Sequence, residues 1–164
     1  MKEFPEKSAA ALVALRSVWG PEHFIVIGAA AIGYHIGLQW RGTIDLDLSV
    51  SADVDAYTED LESLGWQRDR AALQRWLSPQ GLIIDVVPAS PSLIDAGDFT
   101  WPDGSARMNL VGFRLGFADA ESVEAASGVM VRVASLRSLV VLKMSAYLDR
   151  PWERDTDLAD IAHI

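Results

Sequence analysis

Cysteine is absent from the 164 residues, which excludes disulfides, thiolate zinc sites and a thiol nucleophile. Lysine is scarce: Lys2, Lys7 and Lys143 stand among 14 basic residues, and the rest are arginine. Basic charge as a whole is short, with 23 acids, a net charge of -9 and a pI near 4.7. A surface that grips a nucleic-acid backbone along its length needs clustered Lys and Arg, so the balance argues against that class, although a local basic pocket is not excluded. Long hydrophobic runs are also missing. The longest, residues 24–32 and 139–142, fall far short of the roughly 20 residues of a membrane span. The charged opening Met1-Lys2-Glu3-Phe4-Pro5-Glu6-Lys7 has no apolar secretory segment behind it. The expectation is a soluble cytoplasmic protein with no membrane partner.

What is present is enough for a core. Half of the residues are hydrophobic and 23% are charged, as in one domain of ordinary size over residues 1–164. Helical spacing predicts a helix over 8–19 that stops at Gly20-Pro21. The apolar run 23–27 predicts a strand, and Gly28 turns it into a helix over 29–38. Residues 43–51 alternate Ile44, Leu46, Leu48 and Val50 against Thr43, Asp45, Asp47 and Ser49, the period of a half-buried strand. A helix over 52–64 follows, with Ser51 as its N-cap and Gly65 as its stop. Short strands are predicted over 66–70 and 73–78, and a buried strand over 81–87 ends at Pro88. Residues 91–104 are rich in turn formers. Strands are predicted over 109–117 and 130–133, with an acidic turn or helix near 120–125 between them. A helix over 135–148 is capped by Ser135, and a closing helix begins at 157 behind Asp155 or Thr156. That helix has only about two turns before Ile164, which leaves open a chain truncated at its C-terminus.

The chemistry concentrates on one strand face. Residues i and i+2 of a strand project together, so Asp45 and Asp47 lie side by side and repel each other unless a positive charge intervenes. A hard cation bound through oxygen, such as magnesium, meets that need. Asp85 sits in the apolar run Leu82-Ile83-Ile84-Asp85-Val86-Val87, where a carboxylate is expensive unless paired or metal-bound. With its strand beside the first, three carboxylates converge. Such a set can hold two magnesium ions roughly 3.5–4 Å apart, the arrangement of phosphoryl and nucleotidyl transfer. The competing reading is a solvated acidic strand face, with Asp85 paired to an arginine. Val26-Ile27-Gly28-Ala29-Ala30 runs from strand through glycine turn to helix start, where free amides accept an anion; the plainer alternative is a tight turn. Arg41, four residues before Asp45, is placed either to reach a bound triphosphate or to form a salt bridge with Asp45 or Asp47. His35 is read as structural, and Trp40, beside Arg41, as a side chain able to stack on a base. No serine has a base at useful spacing.

These residues carry a resemblance. The order Gly28-Ala29, then Arg41-x-Thr43-x-Asp45-x-Asp47, then Asp85 resembles the minimal nucleotidyltransferase superfamily. Within it, Val133-Ala134-Ser135-Leu136, Leu142-Lys143-Met144-x-Ala146, and then Arg150, Arg154, Asp157, Leu158, Asp160 and Ile161 are similar to the AbiEii/AbiGii toxin group. The resemblance covers residues 25–161. It implies an α/β (α+β) fold, a small mixed twisted sheet flanked by helices. It also implies a magnesium-dependent transfer of NMP from an NTP to a hydroxyl of an RNA, protein or small-molecule acceptor, with manganese as a substitute ion and a cognate antitoxin as partner. Asp45, Asp47 and Asp85 would be catalytic and bind the metal, with Asp85 accepting the proton of the attacking hydroxyl. Gly28, Ala29, Arg41, Thr43 and Lys143 would bind nucleotide, and Asp157 would orient Lys143 or the acceptor. The chain departs from the usual pattern at Ala29, where glycine or serine is usual, and at Thr156, where lysine is frequent. Those two departures point to the alternatives: a non-catalytic nucleotide- or partner-binding domain of the same fold. The acidic balance points instead to a small-molecule, aminoglycoside-like nucleotidyltransferase.

Overall fold

The computed structural model describes residues 3–164. Helix α1 (Glu6–Val18) buries Ala11, Leu12 and Leu15 on one stripe and ends where the Trp19 N–H bonds the Leu15 carbonyl. Strand β1 (Phe24–Ile27) is buried at every position, and α2 (Gly28–Ile36) follows it without a linker. Next come β2 (Asp45–Val50), α3 (Val54–Ser63), β3 (Gln67–Arg68), β4 (Arg75–Leu77) and β5 (Ile83–Pro88). The chain continues through α4 (Pro91–Ala96), β6 (Asp98–Thr100), β7 (Arg107–Asn109), α5 (Phe113–Ala118), β8 (Glu121–Ala126) and β9 (Val129–Val133). It closes with α6 (Leu136–Asp149), a short turn of 3-10 helix (Pro151–Glu153) and α7 (Asp155–His163).

Seven strands form one mixed sheet in the order β3-β4-β5-β2-β1-β9-β8, and β6 and β7 pair separately. β2 runs parallel to β5, and β1 parallel to β9; the other neighbours are antiparallel. This is the mixed, helix-flanked α/β sheet expected from the sequence. The alternation in β2 explains how a core and a site share one strand. Leu46, Leu48 and Val50 are fully buried on one face, while Asp45 and Asp47 are half-buried on the other. Trp76, Tyr57 and Phe24 are the largest fully buried side chains, and aromatic burial of this kind dominates core energetics. No helix among the described residues is long and apolar enough to cross a membrane.

Several elements differ from expectation. Residues 109–117 are not one strand. β7 ends at Asn109, whose Oδ1 accepts the Val111 N–H at 2.8 Å, and Gly112 at φ 92° turns the chain into α5. Residues 121–125 fall within a strand, β8, rather than a turn or helix. Val123 and Ala125 face inward while Glu121, Ser122 and Glu124 face solvent, and Gly128 at φ 75° closes the hairpin to β9. Residues 91–104 contain α4, capped by the Ser90 side chain on the Leu93 N–H, and β6. Ser51 does not cap α3. Asp53 occupies that place without a side-chain cap bond, and its Oδ1 accepts the Ser90 hydroxyl at 2.6 Å. The predicted Ser135 cap is present: its oxygen accepts the Ser138 N–H at 3.1 Å. Neither Asp155 nor Thr156 caps α7, which opens behind Arg154.

Candidate functional site

Register brings the acids together. Asp47 of β2 is the partner of Asp85 in parallel β5, and Ile27 of β1 is the partner of Asp47 on the other side. Register partners point to the same face. One carboxylate oxygen each from Asp45, Asp47 and Asp85 therefore lies within 4.8 Å of the other two. Three close oxygens of like charge are the donor set of a hard divalent ion. The strain of holding them together falls on Asp47. Burial, and then the charges of Asp45 and Asp85, push its carboxyl up to about 7, against the opposing pull of Lys143 and Arg41. A divalent ion among these oxygens would relieve both the burial and the repulsion, so the residues present fit magnesium or manganese.

Each acid is fixed differently. Thr43 Oγ1 donates to Asp45 Oδ1 at 2.8 Å, a bond that holds the Asp45 carboxylate in orientation. Asp85 accepts a two-pronged contact from Arg75 of β4, Nε to Oδ1 at 2.9 Å and Nη2 to Oδ2 at 2.8 Å. The arginine partner allowed for Asp85 on sequence grounds thus coexists with the triad. Asp47 backs directly onto the glycine turn. Gly28 has φ 64°, and a Cβ there would sit 2.1 Å from Asp47 Oδ2. Only glycine fits both that conformation and that approach. Gly28 opens α2 beside the acids, and Ala29 is buried behind it.

Lys143, from α6, is buried, with Nζ 2.9 Å from Asp157 Oδ1 and 2.8 Å from Asp160 Oδ2 of α7. Asp160 is a hub. It also accepts Trp40 Nε1 at 2.9 Å, Arg41 Nε at 2.9 Å and Arg41 Nη2 at 2.6 Å. Burial alone would raise this carboxyl, but the hydrogen bonds from Arg41, Lys143 and Trp40 outweigh it and hold it well below the usual carboxylate range. The ion-pair partner of Arg41 is therefore Asp160, not Asp45 or Asp47. Trp40 offers no free ring face for a base on the side where it stacks on His163, 4.1 Å away with the rings nearly parallel. His35 is structural, its Nε2 2.9 Å from the Ala134 carbonyl.

Gly28, Asp47, Asp85, Lys143 and Asp157 line one cavity of about 310 Å³. Trp101, Met108 and Phe113 also line it, as do Arg107, Arg150 and Arg154. Acids, a buried lysine, a glycine turn at a helix start and apolar lining residues suit an anionic, metal-bridged ligand with an organic body. Two side chains that shape the site were given no role on sequence grounds. Asp160 had a faint signal, since Asp157 and Asp160 are three apart on one helix face. Arg75 had none, because only strand pairing brings it to Asp85.

No protein-family model matches the sequence, and no curated protein matches it significantly. Solved structures do match. The lincosamide antibiotic adenylyltransferase LnuA, in its lincomycin-bound crystal structure, is 16% identical over 98% of this chain and 96% of its own, with a TM-score of 0.52. An antigenic nucleotidyltransferase-like protein from Paracoccidioides brasiliensis is 15% identical over 97% of this chain and 76% of its own, with a TM-score of 0.58. The mixed sheet and its flanking helices are thus the fold of known nucleotidyltransferases.

Proposed function

We propose that this protein is a nucleotidyltransferase that moves an NMP from an NTP to a hydroxyl of its acceptor, with magnesium or manganese held by Asp45, Asp47 and Asp85. The observation that carries the proposal is the convergence of those three carboxylates within 4.8 Å beside Gly28, in a fold shared with nucleotidyltransferases. The acceptor oxygen bonds to the α-phosphorus, the bond from that phosphorus to the pyrophosphate oxygen breaks, and Asp85 receives the hydroxyl proton. The amides of Gly28 and Ala29 bind phosphate oxygens at the start of α2. Lys143, aimed by Asp157 and Asp160, adds positive charge to the cavity. Arg41 contributes to nucleotide binding through its field and by anchoring its loop, and Thr43 by holding Asp45. The metal, when bound, supplies charge neutralisation for the transferred phosphoryl group. The residues act by position and charge rather than by covalent chemistry.

A small-molecule acceptor is the better of the acceptor readings. A cavity of about 310 Å³ with apolar lining residues suits a compact organic molecule, and a net charge of -9 disfavours RNA. The lincosamide adenylyltransferase of similar fold supports the same class. A role as a toxin held by an antitoxin rests on the sequence resemblance over residues 25–161 alone. The test is calorimetric titration of ATP, GTP, CTP and UTP with magnesium into wild type and the double variant Asp45→Ala/Asp47→Ala. Magnesium-dependent binding of one nucleotide is expected, lost in the folded double variant, followed by pyrophosphate release when small hydroxylated acceptors are supplied. Absence of binding to folded wild type at millimolar nucleotide overturns the proposal. Binding without pyrophosphate release for any acceptor supports the non-catalytic alternative that Ala29 and Thr156 raise.

A further inference from the structure

A single row of side chains crosses the sheet. Ile27, Asp47, Asp85 and Arg75 are successive register partners on β1, β2, β5 and β4. Arg75 reaches the acidic face through strand parity. In β4, Trp76 turns into the core and is fully buried, so Arg75 and Leu77 face the other way. The guanidinium grips Asp85 side-on, Nε on Oδ1 and Nη2 on Oδ2. One lone pair of each oxygen is thereby taken, and the other stays open. Asp85 lines the cavity, and 39% of the Arg75 side chain and 18% of the Asp85 side chain are exposed. Among the described residues, Asp85 is the one member of the triad in an ion pair. Asp45 is held only by the neutral Thr43 hydroxyl, and Asp47 by no hydrogen bond from a side chain. The triad is thus lopsided, with a guanidinium gripping its Asp85 end and no ion pair at Asp45 or Asp47.

We infer that Arg75 is a positioning residue that holds the place of a second divalent cation beside Asp85, so that the triad without nucleotide takes one ion, at Asp45 and Asp47. A second ion beside Asp85 meets the guanidinium charge at close range and finds only half of the carboxylate lone pairs open. It gains a favourable place when a triphosphate brings its own oxygens and negative charge. In this arrangement Arg75 couples the completion of the metal site to nucleotide arrival. The inference rests on the proposed nucleotidyl-transfer reading of the triad. A merely structural Arg75, tying β4 to β5, would affect melting and leave the ion count untouched.

The experiment counts manganese, by electron paramagnetic resonance of the free ion, in titrations of the full chain with and without a non-hydrolysable nucleoside triphosphate. Wild type is expected to take one ion without nucleotide and two with it. Arg75→Met is expected to take two without nucleotide, or to bind the second about tenfold or more tightly than wild type. Arg75→Lys keeps the charge but not the fork and should stay at one. Arg75→Gln provides the neutral variant if methionine perturbs the strand edge, with circular dichroism confirming the fold of each. Equal stoichiometry and equal affinities in wild type and the neutral variants would overturn the role of Arg75, as would two ions on wild type without nucleotide. Failure of every folded variant to bind manganese, even with nucleotide, is a different result. It overturns the nucleotidyl-transfer reading itself.

Discussion

Asp47 carries the energetic tension of the molecule. Its carboxyl is pushed up to about 7, first by burial and then by Asp45 and Asp85, while in the unfolded chain it titrates near 3.8. An acid with a raised native pKa binds its proton more tightly when folded. Its contribution to stability is therefore most favourable below about pH 4 and declines as pH rises from there to about 7. Asp47→Asn removes that decline. Urea unfolding should show the variant close to wild type at pH 4 and more stable by on the order of 2 kcal/mol at pH 8; equal stabilities at both values would contradict it. Gly28 makes the opposite prediction. Gly28→Ala places a methyl group against Asp47 Oδ2 in a left-handed backbone, which should cost about 1–3 kcal/mol in thermal melts. The same substitution should weaken manganese binding, because Asp47 must move to make room. The sequence made these residues legible for a simple reason. Asp45 and Asp47 stand at strand parity, Asp85 interrupts an apolar run, and Gly28 interrupts a strand. Arg75 and Asp160 act through partners 10 and at least 17 residues away, and no local pattern records such pairing.

At the scale of elements, the helices with a strong apolar period and the buried strands β1, β2 and β5 lie where the sequence indicates. The errors fall where local patterns were weak or short. Residues 109–117 are apolar enough for a strand, yet the Asn109 side chain and the positive φ of Gly112 redirect the chain into α5. β8 looks acidic, but its period-two alternation is completed only by pairing with β9. α7 illustrates how an element with little core of its own can matter. Its buried positions are Asp157 and Asp160, which join Lys143 of α6 and Arg41 of the 37–44 loop. Removing one partner of a buried ionic cluster leaves the others uncompensated. Asp160→Asn should therefore cost about 2–4 kcal/mol and free the loop around Arg41. Limited trypsin digestion should then cut at Arg41 faster than in wild type; unchanged cleavage would show the loop is held by other contacts.

For the whole molecule, the charge balance and the cavity argue in the same direction. A chain at -9 repels a polyanion at long range, while the buried Lys143 and the half-buried Arg41 are already engaged by acids. A cationic small acceptor would be drawn in, with its association slowing as ionic strength rises and the screening length shrinks to roughly 8 Å near physiological salt. Stopped-flow measurements across a salt series check this, and gel retardation of RNA at physiological salt should show no complex. The Asp160 hub has one more consequence, for biosynthesis. Peptide bonds are made from the N-terminus, so Asp45, Asp47 and Asp85 leave the ribosome well before Asp160, which sits in the last of the described helices. A nascent chain thus holds its acids while Lys143 and Arg41 are still unclamped, and the ionic cluster around Asp160 closes only as synthesis reaches α7.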